Sequence, residues 1–282
     1  MEISAAAVKD LRERTGAGMM ECKKALLQTQ GDAEQAIDLL RKSGAAKAAK
    51  RSGRTATEGL IAVGSDAEMQ AIAMVEVNSE TDFVARNEKF RAFAQSVADC
   101  VLGRRPKDLE ALLSAPLGED GGSVDAVRLQ LSAEIGENLS VRRFVRVTAD
   151  GARLGLYRHG SKIGVVTVLT GGDAALAKDI AMHVAATRPV CIHKDQVPAE
   201  LVARERAIYE AQAAETGKPP EVVRKIAAGK LDKFINEVTL LGQPFVKDQD
   251  TTIAKLLSAK GADILRFERL EVGEGMAQVR GG

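Results

Sequence analysis

The sequence predicts an α+β protein: a three-helix N-terminal module, a core of two related strand–strand–helix subdomains, and an inserted antiparallel helical hairpin. Three observations predict it. Residues 3–42 carry apolar positions at helical spacing. The segments 59–78 and 155–172 each read as two strands, followed by a loop and a helix. Residues 198–241 are helical on both sides of Gly217-Lys218-Pro219-Pro220, where the prolines cannot continue the first arm. The expected division is 1–42 helical module, 43–58 basic linker, 59–150 first subdomain, 151–197 with 242–282 second subdomain, and 198–241 hairpin.

Taken in order, Ser4 caps a first helix bearing Val8 and Leu11, and Thr15-Gly16-Ala17-Gly18 breaks it. A second helix carries Met19, Met20, Cys22, Ala25, Leu26 and Leu27. Asp32 followed by Gln35 resembles a capping box opening a third helix through Ile37, Leu39 and Leu40. Arg41, Lys42, Lys47, Lys50, Arg51 and Arg54 then fall in a stretch without large apolar side chains, which reads as a linker, partly helical around AAKAAK. The first core half continues from its second strand, AIAMVEVN, through the loop NSETDFVARN to the helix EKFRAFAQSVADCVL. Residues 106–123 read as loop, VDAVRLQLSAEI as helix and NLSVRRFVRVTA as strand. In the second half only Gly171-Gly172-Asp173 separates strand from helix. After the hairpin, GQPFV and LRFERLEVGEG return to the core as strands.

Composition excludes several classes. With 282 residues and 45% hydrophobic content the chain buries a sizeable core, and a net charge of +1 argues against a protein that wraps nucleic acid. Cys22, Cys100 and Cys191 form neither a disulfide framework nor a C-x-x-C pair, which fits a reducing compartment. The N-terminus lacks a basic start and an apolar h-region, and no run of 18 apolar residues occurs, so a soluble, cytoplasmic protein is expected. Gly155 to Lys162 (GLYRHGSK) resembles a phosphate loop with its Lys and hydroxyl residues swapped, and it falls in a hairpin rather than between strand and helix. His183, Cys191 and His193 match no zinc spacing, and His183 sits among apolar neighbours as a packed histidine. No catalytic motif is present; neither an active site, a metal nor a cofactor is expected.

Phe83 stands out. In a chain with seven Phe, two Tyr and no Trp, it occupies a polar loop beside Asp82. The residues leave two readings open. Phe83 folds back onto the helix carrying Phe90 and Phe93, or it meets a partner. A carboxylate next to it makes a poor lid for a core, because buried charge must be paired. The second core half does without this loop, so the loop is not needed to stabilise the scaffold.

The segments LRERTGAGMMECKKAL (11–26), EVNSETDFVARN (76–87), IGEN (135–138), IAMHVAA (180–186) and GQPFV (242–246) together resemble the bacterial elongation factor Ts family, in the right order and over nearly the whole chain. The resemblance implies a guanine-nucleotide exchange factor that binds elongation factor Tu in translation elongation. It also implies an N-terminal module of ubiquitin-associated type and a coiled-coil hairpin. It assigns Asp82 and Phe83 to pressing on the partner's G domain and disturbing its magnesium site, with Thr81 and Val84 completing the motif. Docking of the N-terminal module nominates Arg12, Met19 and Met20, and Ile135 and His159 match positions near the partner surface. Some members continue past EVGEG into a further helix, whereas this sequence ends MAQVRGG, so a somewhat smaller interface is expected. Self-association through the hairpin, or a two-plus-two complex with the GTPase, stays open. The competing class is an RNA-binding accessory protein using residues 41–54. That stretch has no aromatic interleaved for base stacking, so no direct nucleic-acid role is expected.

Overall fold

A computed structural model describes residues 3–118, 121–215 and 217–276. Mixed helices and small antiparallel sheets make it an α+β protein, as the strand and helix periodicities predict. The final residues of MAQVRGG, from position 277, lie outside the described residues.

Helix α1 (Ala5–Thr15) starts behind Ser4, whose hydroxyl accepts the Ala7 N–H at 3.2 Å. Helix α2 (Met19–Gln28) follows, and α3 (Ala33–Arg51) opens on Asp32, whose carboxylate accepts from the Gln35 backbone and side-chain nitrogens at 3.0 Å each. Val8, Leu11, Cys22, Ala25, Leu26 and Ala36 form the small core of this module.

The expected linker at 43–58, read as partly helical around AAKAAK, is helical there, and the correction is to its extent. Helix α3 continues to Arg51, leaving only a short connection before the first strand. Alanine, lysine and arginine are good helix formers, and the extension has a surface to lie on. Its Gly44 approaches Ala133 so closely that an added Cβ would sit 3.1 Å from the alanine methyl. Ala133 belongs to α7 (Val124–Ile135), so the N-terminal module is docked on the core.

The core consists of two three-stranded antiparallel sheets. The first orders β1 (Glu58–Ser65), β2 (Ala71–Ser79) and β3 (Ser140–Thr148) side by side. The second orders β4 (Arg153–His159), β5 (Ile163–Thr170) and β8 (Asp263–Glu271). Ile61, Ile72, Met74 and Val147 of the first sheet pack against Leu154, Val166, Val168 and Leu270 of the second. Gly164 permits that approach, since a Cβ there would lie 2.9 Å from the Met74 sulfur and 3.0 Å from Ile61 Cγ2. On the outer face of the first sheet, Phe90, Phe93, Ala94, Val97 and Val101 of α5 (Glu88–Arg104) cover Leu60, Ala62, Ala73, Val75 and Val77. On the outer face of the second, α8 (Ala174–Thr187) packs Leu176, Ala177, Ile180 and Val184 onto Val165 and Leu169. The layers therefore run helix, sheet, sheet, helix. Strand β2 is the centre of its sheet and covered on both faces, so all its residues are buried.

The duplication extends to details. Both central strands shift register against their last neighbour, between Glu76 and Val77 in one half and between Val168 and Leu169 in the other. Both α5 and α8 end on an arginine in the left-handed region, Arg105 at φ 55° and Arg188 at φ 52°, each followed by proline.

His183 is a packed histidine, as expected. It is buried, donates through Nε2 to Gln243 Oε1 at 2.9 Å, and accepts the Val246 N–H at Nδ1 at 3.3 Å. The histidine of IAMHVAA and the glutamine of GQPFV are therefore one hydrogen-bonded pair. Burial pushes the imidazole pKa below its ordinary value, against the smaller upward pull of the Gln243 bond. The GQPFV segment forms short β6 (Pro244–Phe245), paired with β7 (Asp248–Thr252) ahead of α11 (Ile253–Ala259). The hairpin is built from α9 (Ala199–Ala214) and α10 (Pro220–Val238), with Tyr209 and Phe234 edge to face at 6.4 Å. A Lys194–Asp232 ion pair at 2.9 Å and a Val190 N–H to Val238 O bond at 2.8 Å hold its base. Within the expected 106–123 loop, Leu109–Ser114 forms helix α6, whose N-cap Asp108 accepts the Ala111 N–H at 2.8 Å.

Candidate partner-binding surface

Strand β2 runs through Ser79 into Glu80 and Thr81, and the chain then makes a single helical turn, α4 (Asp82–Ala85). Four residues cannot sustain a helix on their own hydrogen bonds, so outside contacts must hold this one. Val84 and Ala85 supply the first, sinking into the core under α5. Asp82 pairs with Arg86 at 2.9 Å. Asn87 caps the next helix, its Oδ1 accepting the Lys89 N–H at 2.9 Å and the Phe90 N–H at 3.3 Å.

With Val84 turned inward, Phe83 points out and is 80% exposed. Phe90 and Phe93 are buried without it, so the fold-back reading is overturned. Leaving a phenylalanine in water forgoes about 1.5–3 kcal/mol of burial free energy.

Two loops meet beneath the turn. The Thr81 N–H and hydroxyl both donate to Glu137, to Oε2 at 3.0 Å and to Oε1 at 2.6 Å. In return, Glu80 Oε1 accepts the Asn138 N–H at 2.6 Å. The Asn138 side chain donates to Arg54 O at 2.7 Å, and the Arg54 guanidinium stands 3.6 Å from Glu80. Glu80, Glu137 and Asn138 were not singled out by sequence reasoning. They lie within the EVNSETDFVARN and IGEN motifs, but nothing local shows that the motifs interlock.

The other candidates sit on separate elements. Met19 and Met20 open α2 at 43% and 66% exposure, with Leu27 also exposed on that helix. Arg12 is exposed on α1. The module reaches the core near the IGEN turn, where the Gly16 backbone lies against the Glu134 side chain and Lys89 of α5 pairs with the same glutamate. Ile135 is half-buried at the end of α7 and packs on the first core cluster. His159 is exposed at the end of β4, stacked beside Tyr157 with ring centroids 6.4 Å apart. A cleft of about 350 Å³ between β1, α5 and the β4–β5 turn carries Arg91, Gln95 and Arg158. Of the basic stretch, Arg51 donates to Ser132 O at 3.4 Å and Arg54 faces Glu80, so these two charges are engaged within the chain.

The phosphate-loop look-alike spans β4 and its turn to β5, and the strand portion is committed to the sheet ladder. Among the described residues no group of three or more His, Cys, Asp or Glu side chains is placed to hold a metal ion. No described helix is long and apolar enough to cross a membrane.

These features define a class: a duplicated α+β scaffold whose distinctive side chain stands on a braced surface turn rather than in a cleft. Comparison with known proteins narrows it. The family model described as elongation factor Ts matches residues 80–274. The elongation factor Ts of Thioalkalivibrio sulfidiphilus is 56% identical over 277 residues, covering 98% of this chain and 94% of its own. Those of Alkalilimnicola ehrlichii and Methylococcus capsulatus are each 52% identical, the former covering 100% of both chains and the latter 98% of this chain and 94% of its own. The chain belongs to the elongation factor Ts family.

Proposed function

We propose that the chain is a cytoplasmic guanine-nucleotide exchange factor that binds elongation factor Tu and promotes GDP release by disturbing its magnesium and phosphate site. The observation that carries this reading is Phe83, held outward at 80% exposure on a turn whose other side is anchored in the core. Asp82, beside it, brings negative charge to where a GTPase holds its metal and phosphates. Thr81 and Val84 serve the same contact from beneath, Thr81 through Glu137 and Val84 as the buried keel. Arg12, Met19 and Met20 on the helical module, which we read as of ubiquitin-associated type, supply a second contact, and we read Ile135 and His159 as positions near the partner surface. The chain does no bond chemistry of its own.

Exchange requires tighter binding to the empty GTPase than to the loaded one, and the difference is the coupling free energy. Moving a loaded-to-empty ratio from about 1:99 to 99:1 takes roughly 5.5 kcal/mol. Burying one Phe supplies about 1.5–3 kcal/mol. Phe83 therefore acts as the wedge while the remaining surfaces hold the partner. By reciprocity, incoming GTP weakens the factor's grip by the same amount.

The test is stopped-flow release of a fluorescent GDP from the GTPase. Phe83→Ala is expected to slow stimulated release on the order of ten- to a hundredfold, the kinetic equivalent of that burial. Its melting temperature should hardly move, because the side chain is exposed. An unsubstituted rate in the variant overturns the wedge role.

A further inference from the structure

We infer that Glu137 is a positioning residue for exchange: its carboxylate, supplied by the turn after α7, freezes the Thr81–Val84 turn in the orientation that presents Phe83. The inference rests on the exchange reading of Phe83 and deepens it. The pairing of β2 with β1 ends at Ser79, so the Thr81 N–H has no ladder partner and its hydroxyl does not cap α4. Both donors go to one carboxylate, at 3.0 Å and 2.6 Å. Two bonds to a planar acceptor fix the rotation of the turn as well as its position. The return bond from Asn138 N–H to Glu80, at 2.6 Å, completes a reciprocal lock between residues 80–81 and 137–138. Glu137 is itself seated, its carbonyl accepting the Ser132 hydroxyl at 2.6 Å. Val84 and Ala85 anchor the turn from the core side and the Ser79 hydroxyl donates to the Thr81 carbonyl at 2.9 Å, while Glu137 takes both Thr81 donors; a single helical turn has no stiffness of its own. Without Glu137, Phe83 remains attached but samples many directions, and docking must refreeze it.

The experiment measures the maximal GDP-release rate at saturating factor, the half-saturating concentration and the melting temperature for Glu137→Ala, Phe83→Ala and the double variant. Glu137→Ala is expected to lower the maximal rate on the order of tenfold, the factor that refreezing one backbone residue costs. The half-saturating concentration should stay within about twofold, because the surfaces that hold the partner are untouched. Glu137→Gln should recover most of the rate, since its amide oxygen accepts the Thr81 N–H and its NH₂ donates to the hydroxyl oxygen. The double variant should be no slower than Phe83→Ala alone, because both changes remove the same presentation. A global structural role would instead lower the melting temperature and slow the double variant further. Thr81→Val repeats the test with the carboxylate in place and should show a smaller loss, absent in the Phe83→Ala background. An unsubstituted rate in Glu137→Ala, or additive losses in the double variant, overturns the inference while leaving the exchange reading intact. An unsubstituted rate in Phe83→Ala overturns the wedge role of Phe83 on which the inference rests.

Discussion

At the scale of single residues, Glu76 shows how much one buried charge can hold together. It is fully buried in β2, with Arg142 Nη1 at 3.0 Å from both oxygens, Arg143 Nε at 2.6 Å and the Gly273 N–H at 2.8 Å. Burial works to raise its pKa, but the bonds from Gly273, Arg143, Asn78 and Arg142 outweigh it and leave the carboxyl below its ordinary range. Removing it by Glu76→Ala strands two partly solvated arginines and is expected to cost on the order of 3 kcal/mol, measured by urea unfolding at neutral pH. The pH dependence has a definite sign. His183 and Glu76 both have lowered folded pKa values, so the unfolded chain takes up protons first and stability falls with acidification. The loss contributed by His183 begins as pH drops through about 6.5, and that of Glu76 follows below about 4.5. His183→Gln should flatten the first step; an unchanged step would exclude His183 as its source. Sequence reading reached these residues unevenly. A histidine among apolar helix positions was legible as packed, whereas the Glu76 cluster depends on Gly273, 197 positions away, and left no local pattern.

At the scale of elements, α3 governs how the N-terminal module is attached. Its second half carries no large apolar side chain, and Gly44 lies against Ala133. Helix around AAKAAK was legible in the sequence, but its continuity with the third helix was not, because apolar periodicity reads large side chains. Helices α6 and α11 escaped for another reason: they span six and seven residues, too few for a 3.6-residue period to show. The paired strands and long helices of the duplicated core were legible because alternation and periodicity persisted through them. Gly44→Leu should force α3 away from α7 at a cost of about 1–3 kcal/mol. Calorimetry should then show the module melting ahead of the core. A single unchanged transition would mean that the docking does not depend on this contact.

For the whole molecule, the hairpin and the core are largely separate in their packing. The facing surfaces of α9 and α10 bury Ala213, Ala227 and Leu231, and the two helices contact each other far more than the core. Replacing residues 199–238 with a short Gly-Ser connection should therefore leave the core's cooperative unfolding within a few degrees of the parent value, read by circular dichroism. Loss of that transition would show that the hairpin supports the core. The site was legible in part at this scale. The odd placement of Phe83 stood out against a core half that lacks the loop, but its outward direction depends on Val84 occupying the core and on Glu137 arriving from another loop.

The order of the second sheet has a consequence during synthesis. Strand β5 is its middle strand, yet its outer neighbour β8 begins only at Asp263, long after β5 ends at Thr170. At about 5–20 residues per second, a ribosome needs on the order of five to twenty seconds to make the intervening chain. Throughout that interval the nascent polypeptide carries an apolar strand with an open edge, a ready template for pairing with another chain. Slow decoding between these strands would prolong the exposure, so the yield of folded protein should be more sensitive to codon choice there than after Glu271.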